Sequence, residues 1–386
     1  RLAGQDAIFA PTPPLESLRM ILSMSTTELP GRPRPVYDPD SEERMQIMLV
    51  DISRAYFNAR TDEGEPIYVQ LPKEAGAGPD ECALLKRHMY GTRRAAEGWQ
   101  DEYSSRLIEA GFVQGSASPC VFMHPTRNLA VSVHGDDFTS CGPKRELDWF
   151  EAVLRSHYEL TVGGRLGPGA HDDKEATVLN RVIRWTDEGV EYEADPRQAE
   201  KLLHELDLVG DGVKSVVTPG VKVDSHQAQS EQLLPVEQHT KFRALAARAN
   251  FLAADRPDGI MFAAKEVCRF MAKPTDLALQ ARKRLGRYLK GRPRLVIKYP
   301  RQSADHIDVY SDTDWAGCVR TRKSTSGGCI MVGSHTIKGW SSTQAGIALS
   351  SGEAEYYGVV RAAGLGLGQQ ALYKDGGVHL QLRVWT

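Results

Sequence analysis

The sequence has few of the features that mark secreted, membrane-spanning or zinc-stabilised proteins. Its six cysteines form no Cys-x-x-Cys pair and no close cluster with histidine, so we expect reduced thiols and no structural zinc. No stretch reaches the roughly 18 consecutive apolar residues that a membrane-spanning helix needs. The first residues also lack the apolar run of a secretory signal. These absences predict an intracellular protein with no membrane partner.

Charge of one sign is not in excess overall, because 48 basic and 50 acidic residues leave a net charge of −2. This balance neither favours nor excludes a nucleic-acid partner. One local patch is strongly basic: seven Lys or Arg residues and no acid lie between Arg282 and Arg294. The pattern predicts a helix over residues 276–289 whose basic residues largely point away from an apolar stripe. The patch is either a solvated helix face or a surface that contacts phosphates.

Apolar periodicity and turn residues predict an α+β chain of several short elements. A buried strand over residues 47–50 ends at Asp51, and a hairpin over residues 129–138 turns at Gly135-Asp136-Asp137. We predict further helices at 15–24, 92–111, 196–208, 241–254, 257–271, 276–289 and 350–373, strands at 307–311, 329–332, 336–340 and 380–386, a hairpin at 178–193, loops at 31–40 and 163–173, and a linker at 213–235.

Three carboxylates lie at predicted strand ends. Asp51 follows one strand, and Asp136 and Asp137 occupy a hairpin tip. Carboxylates placed in this way converge when their strands are neighbours, and such a cluster suits two Mg²⁺ ions that catalyse nucleotidyl transfer. Gly135 would let the backbone approach a primer end closely. The alternative is that Asp136-Asp137 is only a polar turn.

Longer motifs around these carboxylates resemble the reverse transcriptase–RNase H segment of copia-type LTR-retrotransposon Pol polyproteins. The resemblance extends over nearly the whole chain, and its motifs occur in the order found in that family. They lie at residues 51–59, 67–72, 89–99 and 133–137, then at 217–219, 242–243, 256–258, 269–271 and 288–291, and finally at 310–317, 322–328, 340–344 and 348–356.

The resemblance implies roles for residues in the first half of the chain. Asp51, Asp136 and Asp137 would be the catalytic metal ligands, and Tyr56 would exclude the 2′ hydroxyl of a ribonucleotide. Tyr56 could alternatively be a plain core aromatic. Gly91 and Arg93 would line the nucleotide and template pocket. The chain departs from the family at His134-Gly135 and Ala95-Ala96, which replace the family's usual residues.

The resemblance also implies roles in the second half. The basic helix would contact the template–primer duplex through Arg282, Lys283, Arg284, Arg287 and Lys290. Asp312 and Glu355 would be catalytic metal ligands of an RNase H site. Glu353 and Glu355 are two residues apart and cannot share one helix face, so only one can point at Asp312. The family context favours Glu355, and the alternative assigns the metal contacts to Asp314 and Glu353.

The implied fold is an α+β reverse-transcriptase palm with partial fingers at residues 1–212, helical connection at 213–300 and an RNase H-like α/β domain at 301–386. We expect the last domain to be truncated at its C-terminus, because the chain stops where the family's next carboxylate would follow. Residues 1–386 alone should therefore show no appreciable RNA-strand cleavage.

The implied function is RNA-directed DNA polymerisation with associated RNase H, using two Mg²⁺ ions per active site, with Mn²⁺ as the alternative ion. The implied partners are an RNA template, a DNA primer, RNA/DNA hybrid, dNTPs and the integrase and protease segments of a parent polyprotein, in a cytoplasmic particle. The rival hypothesis is a decayed or repurposed fragment that binds nucleic acid without catalysis. A capsid-type structural protein would not need carboxylates at these strand ends.

Overall fold

The structure is a computed structural model that describes residues 10–78, 80–210, 212–256 and 259–386. Pro257 and Asp258, the predicted start of one helix and part of one motif, lie outside the described residues. The chain forms two compact units. The first runs to Ala176 and includes Ala371–His379, and the second comprises Thr177–Gln370 and Leu380–Thr386. Within the described ranges, no helix is both long and apolar enough to cross a membrane.

The first unit is built around a six-stranded antiparallel sheet. Its elements in chain order are α1 (Leu15–Thr26), β1 (Thr27–Glu28), β2 (Met45–Ile52), a 3₁₀ helix (Ala55–Asn58), β3 (Tyr68–Gln70), a 3₁₀ turn (Lys73–Ala75), β4 (Cys82–Leu84), α2 (Ala95–Glu109), β5 (Val113–Gln114), β6 (Val121–His124), β7 (Leu129–His134), β8 (Asp137–Pro143), α3 (Lys144–His157) and β9 (Leu160–Leu166). The strand order is β5-β6-β7-β8-β2-β9, so the strand that ends near Asp51 lies in the interior of the sheet.

Apolar side chains on both faces of β2 explain its position inside the sheet. Met48, Val50 and Ile52 are fully or almost fully buried and pack in one core with Trp99 of α2 and Phe150 of α3. Side chains at even positions of a strand share one face of the sheet, and helices α2 and α3 cover that face. The odd positions 47 and 49 are also buried, and α1 contacts β2, β7 and β8. A strand buried on both faces in this way holds its terminal carboxylate rigidly.

The second unit contains two further sheets and a helical layer. Its elements are β10 (Glu175–Val178, at the boundary), β11 (Arg181–Trp185), β12 (Gly189–Glu193), α4 (Pro196–Glu205), α5 (Ser225–Ser230), α6 (Val236–Asp255), α7 (Met261–Cys268), α8 (Asp276–Gly291), β13 (Val296–Pro300), β14 (Gln302–Ser303), β15 (His306–Thr313), β16 (Thr325–Val332), β17 (His335–Thr343), α9 (Ser351–Asp375, whose last residues belong to the first unit) and β18 (Gln381–Trp385). One sheet has the order β10-β11-β12-β13 and the other β17-β16-β15-β18, with β18 parallel to β15.

Asp375, near the end of α9, has a structural role in the first unit. Its carboxylate accepts hydrogen bonds from the backbone N–H groups of Ser116, Ala117 and Ser118 at 2.9, 2.9 and 2.7 Å. The residue is buried, so these three donors replace the water that an ionised carboxylate would otherwise need. All of its hydrogen bonds are thus directed at one turn.

Most predicted elements are present, and the differences have physical causes. The predicted loop at 163–173 is wrong at its start, because β9 runs to Leu166 and pairs with β2. A register shift between Leu49 and Val50 accommodates this glycine-rich strand. The predicted linker at 213–235 contains the short helix α5, which begins with a capping box of Asp224 and Gln227. Strand β13 was not predicted, because it is recruited by pairing with β12, about a hundred residues earlier in the chain.

The three predicted segments do not coincide with the two units. Strands β11 and β12 and helix α4 belong to the first predicted segment, yet they lie in the second unit. The predicted connection and RNase H-like segments fall largely within that same unit. The α+β class is confirmed, and the finer division into palm, connection and RNase H-like domain remains a prediction.

Candidate active sites

The structure brings together the three carboxylates predicted from the first half of the chain. Antiparallel pairing of β2 with β8 sets Asp51 directly opposite Asp137. Asp136 occupies the turn between β7 and β8, and its carbonyl oxygen accepts a hydrogen bond from the N–H of Ile52 at 3.0 Å. Gly135 has φ +66°, a left-handed conformation that favours glycine. The tight turn therefore holds Asp136 beside the end of β2.

Negative charge is concentrated at this site. Burial, followed by the charges of Asp136 and Asp51, raises the pKa of Asp137 to about 6. Burial and the charge of Asp136 also raise the pKa of Asp51. Such shifts indicate carboxylates that are partly desolvated and repel one another, and aspartate oxygens are the donors that Mg²⁺ prefers. The donor chemistry thus fits divalent cations, although within the described ranges no group of three or more His, Cys, Asp or Glu side chains is arranged to hold a metal ion.

Helix α2 stabilises the turn between β7 and β8 through a hydrogen bond. Trp99 is buried, and its Nε1 donates a hydrogen bond to the carbonyl oxygen of Gly135 at 2.9 Å. The apolar positions predicted for this helix, Trp99, Tyr103 and Leu107, are all buried in the same core. The sequence pattern thus identified the face of α2 that holds the turn, but not the hydrogen bond.

Tyr56 lies beside the carboxylates in the 3₁₀ helix Ala55–Asn58. It is partly buried against the core of the first unit. Its ring centroid is 4.5 Å from that of Tyr90. Burial raises the pKa of Tyr90, as do the charge of Asp136 and, more weakly, Tyr56 and Asp51. Tyr90 was not singled out from the sequence, although it directly precedes Gly91 in one of the predicted motifs.

Gly91 and Arg93 lie on the loop between β4 and α2. Gly91 has φ +89°, which fits the need for glycine at this turn. Arg93 lines a charged cavity of about 960 Å³. The neighbouring Arg94 also lines it and forms ion pairs with Glu65 and Glu97 at 3.0 and 2.9 Å. The predicted nucleotide or template contacts of Gly91 and Arg93 remain predictions.

The second predicted site lies in the second unit. Asp312 is an exposed residue near the end of β15, opposite Gly327 of β16. It lines a cavity of about 610 Å³. Helix α9 packs closely on β15, since a Cβ added to Gly358 would lie only 2.3 Å from Oγ1 of Thr313. Glu355 precedes Gly358 by three residues and therefore lies on a similar side of α9. Asp312 and Thr313 are successive residues of β15, so their side chains point to opposite faces of the sheet. This packing therefore does not by itself bring Glu355 to Asp312, and their pairing remains a prediction.

The two neighbouring acids have local hydrogen-bond partners. The carboxylate of Asp314 accepts two backbone hydrogen bonds, at 3.1 and 2.9 Å, within the loop that joins β15 and β16. The carboxylate of Glu353 accepts hydrogen bonds from the N–H of Leu349 at 2.7 Å and from the hydroxyl of Tyr357 at 2.9 Å. These contacts give both acids a structural role, and the assignment of the metal contact to Glu355 remains a prediction.

Arg282, one of the basic residues predicted to lie on the surface of α8, is buried. Arg282 is only 5% exposed, and its guanidinium carbon lies 4.9 Å from the ring centroid of Phe242. It falls one turn from Ala278 and Leu285, which are also buried. The prediction that the basic residues of α8 point away from the core is therefore corrected for Arg282.

The other four basic residues of α8 differ among themselves. Lys283 is exposed. Arg284 donates a hydrogen bond to Oγ1 of Thr218 at 2.7 Å, Arg287 donates to the carbonyl oxygen of Lys214 at 2.7 Å, and Lys290 donates to the carbonyl oxygen of Gly210. These three side chains fasten the irregular segment after α4 to the helix, so part of the basic patch stabilises the unit itself.

Comparison with known proteins agrees with the motifs. The chain is 27% identical over 325 residues to the retrovirus-related Pol polyprotein from transposon RE2 of Arabidopsis thaliana, a match that covers 82% of this chain and 21% of that protein. It is 22% identical over 365 residues to the Pol polyprotein from transposon TNT 1-94 of Nicotiana tabacum, covering 91% and 25% respectively. The chain is thus a relative of the copia-type retrovirus-related Pol polyproteins, and it spans about a fifth to a quarter of the length of these two.

Comparisons with protein-family models and with solved structures give weaker information about this chain. No protein-family model matches the chain. Among solved structures, a foamy viral protease-reverse transcriptase in complex with dsDNA is similar over 91% of this chain and 60% of that chain, with 11% sequence identity. The TM-score of 0.26 is too low to establish a shared overall fold.

Proposed function

We propose that this chain is the reverse transcriptase–RNase H segment of a copia-type retrotransposon Pol polyprotein. The observation that carries the proposal is the register of β2 and β8, which sets Asp51 opposite Asp137 with Asp136 at the adjoining turn. In this proposal residues 1–212 form a palm with partial fingers. Residues 213–300 form the helical connection, and residues 301–386 form the RNase H-like domain.

In the polymerase site, Asp51, Asp136 and Asp137 would hold two Mg²⁺ ions, or Mn²⁺ in their place. When bound, such ions activate the primer 3′ hydroxyl and neutralise the pyrophosphate that leaves. Asp137 must be ionised to bind a cation, and a pKa of about 6 leaves it ionised at neutral pH. The small Gly135 lets the primer end come close to the turn.

Residues near the carboxylates would discriminate between dNTP and rNTP and would contact the nucleotide and the template. The ring of Tyr56 would fill the space next to C2′ of the incoming sugar, so a dNTP fits and an rNTP clashes. Gly91 and Arg93 would line the pocket for the nucleotide and the template base. The exposed Lys283 would contact phosphates of the template–primer duplex, an interaction that does not depend on sequence.

In the RNase H-like site, Asp312 and Glu355 would be two of the carboxylate ligands for a metal pair that hydrolyses the RNA strand of a hybrid. The proposed partners are therefore an RNA template, a DNA primer, an RNA/DNA hybrid and dNTPs. The proposal also includes the integrase and protease segments of a parent polyprotein and a cytoplasmic particle, which the resemblance to copia-type Pol polyproteins implies.

Primer extension on an RNA template tests the polymerase proposal. We expect the chain to incorporate dNTPs in the presence of Mg²⁺, and we expect Asp136→Asn to abolish incorporation because one ligand charge is lost. Asp40→Asn, which changes an exposed acid of the same unit, is the matched control and should extend normally. Equal extension by wild type and Asp136→Asn would refute the assignment of the site.

A second candidate function is binding of nucleic acid without catalysis. One observation favours it. Among the residues that the structure describes, no three His, Cys, Asp or Glu side chains are arranged to hold a metal ion. A chain of this kind would bind an RNA/DNA hybrid with the same affinity in Mg²⁺ and in EDTA, and it would not extend a primer. Extension by the wild type rejects it.

A further inference from the structure

Tyr90 and Tyr56 form an aromatic pair beside the carboxylate cluster. Their ring centroids are 4.5 Å apart with planes inclined at 45°. The ring of Phe57 meets Tyr90 edge-on at 5.7 Å. Both Tyr56 and Phe57 belong to the four-residue 3₁₀ helix Ala55–Asn58, so Tyr90 contacts two successive side chains of a very short element.

The hydroxyl end of Tyr90 lies near the backbone N–H of Ala55, and the charges of Asp136 and Asp51 act on it. The side chain thus extends from the residue that would exclude ribonucleotides to the carboxylates that would hold the metal ions. About half of Tyr90 is exposed, at 48%, so part of its ring is available to a ligand that enters beside the carboxylates.

The ring of Tyr90 packs against the ring of Tyr56. Tyr56 also packs on the core of the first unit. A single turn of 3₁₀ helix has poor hydrogen-bond geometry and little stability of its own. Without the Tyr90 ring, the Tyr56 side chain would gain rotational freedom, and its ring would no longer define a fixed boundary for a sugar.

We infer that Tyr90 is a specificity-determining positioning residue, which holds the ring of Tyr56 against the sugar of the incoming nucleotide and thereby sets the preference for dNTP over rNTP. This inference rests on the proposed polymerase function. It predicts that the aromatic ring of Tyr90 matters more than its hydroxyl, because the ring makes the contact with Tyr56 and the hydroxyl only anchors it.

The test measures nucleotide binding without bond formation. The chain is mixed with an RNA template and a DNA primer that ends in a dideoxynucleotide, and Mg²⁺ is added. The concentrations of dCTP and of CTP that protect the complex from a heparin competitor are then determined. We expect Tyr90→Leu and Tyr90→Met to reduce the dCTP/CTP preference about tenfold, the size of effect that a misfit of one small group produces in a pocket. Tyr90→Phe should keep the wild-type preference.

Tyr68→Leu is the matched control, because Tyr68 is an exposed tyrosine of the same unit and should not influence the preference. A wild-type preference in both Tyr90→Leu and Tyr90→Met, with melting temperatures unchanged, would overturn the inference alone. If the wild type forms no nucleotide-protected complex and extends no primer, the proposed function fails and the inference fails with it. A loss of preference in Tyr90→Phe equal to that in Tyr90→Leu would also overturn it, since the ring would then be irrelevant.

Discussion

Trp99 and Gly135 are joined by a hydrogen bond from the indole Nε1 to the glycine carbonyl oxygen at 2.9 Å. This contact connects the core to the turn that carries Asp136, and it fixes the distance between that turn and helix α2. The position of the carboxylates therefore depends on a residue that has no charge and no access to a substrate.

Replacement of Trp99 by phenylalanine should weaken both the fold and the site. The variant leaves the Gly135 carbonyl without its partner, which costs about 1 to 3 kcal/mol, and it leaves a cavity in the core. We expect a lower urea midpoint and a higher KM for dNTP in primer extension. Trp315→Phe, which removes a hydrogen bond from an indole in the second unit, is the control. An unchanged KM in Trp99→Phe would show that the turn holds its position without the indole.

The raised pKa of Asp137 predicts a dependence of stability on pH in metal-free buffer. A carboxyl group whose pKa is higher in the folded state favours folding at low pH, and this contribution is lost as pH rises through the folded pKa. For Asp137 the loss should occur between 3.8, the ordinary value, and about 6.

Asp137→Asn removes this titration. We expect the variant to exceed the wild type in free energy of unfolding above about pH 6, by no more than about 2 kcal/mol because the carboxyl is only partly buried. The difference should shrink near pH 4, and urea titrations at both pH values measure it. A difference that grows as pH falls would contradict the assigned direction of the pKa.

Divalent cations should stabilise the first unit. At a hundred times its Kd, Mg²⁺ would raise the free energy of unfolding by about 2.7 kcal/mol if it binds only the folded state. Asp51→Asn should lose most of this increase, whereas Asp40→Asn should retain it. Thermal melting with and without Mg²⁺ measures the effect. Equal melting temperatures of the wild type under the two conditions would argue against a metal site at Asp51.

Arg282 and Lys283 should differ in their effect on nucleic-acid binding, although they are neighbours on one helix. Burial lowers the pKa of Arg282, so Arg282→Met should leave stability unchanged or raise it by about 1 kcal/mol. It should not alter affinity for an RNA/DNA duplex. Lys283→Ala should preserve stability and reduce the salt dependence of binding by about one charge. Binding curves at several salt concentrations distinguish the two, and a reduced slope in Arg282→Met would show that this arginine reaches a phosphate.

Local features of the candidate sites follow from the sequence. A continuous apolar run predicts β2 with Asp51 near its end, and the Gly-Asp-Asp turn predicts the hairpin. The four-residue spacing of Trp99, Tyr103 and Leu107 identifies the buried face of α2. These inferences succeed because periodicity and turn chemistry act over a few neighbouring residues. The family motifs add the order of the sites and their expected roles.

Tertiary structure decides which of these local features meet. Only strand pairing sets Asp51 opposite Asp137. Packing against Phe242 buries Arg282, although the pattern of its helix predicts that this side chain is on the surface. The contact of Tyr90 with Tyr56 and the recruitment of β13 to the sheet of β12 have the same origin. Each joins residues more than thirty positions apart, where side-chain shape and strand register determine the outcome and short-range sequence patterns carry no information.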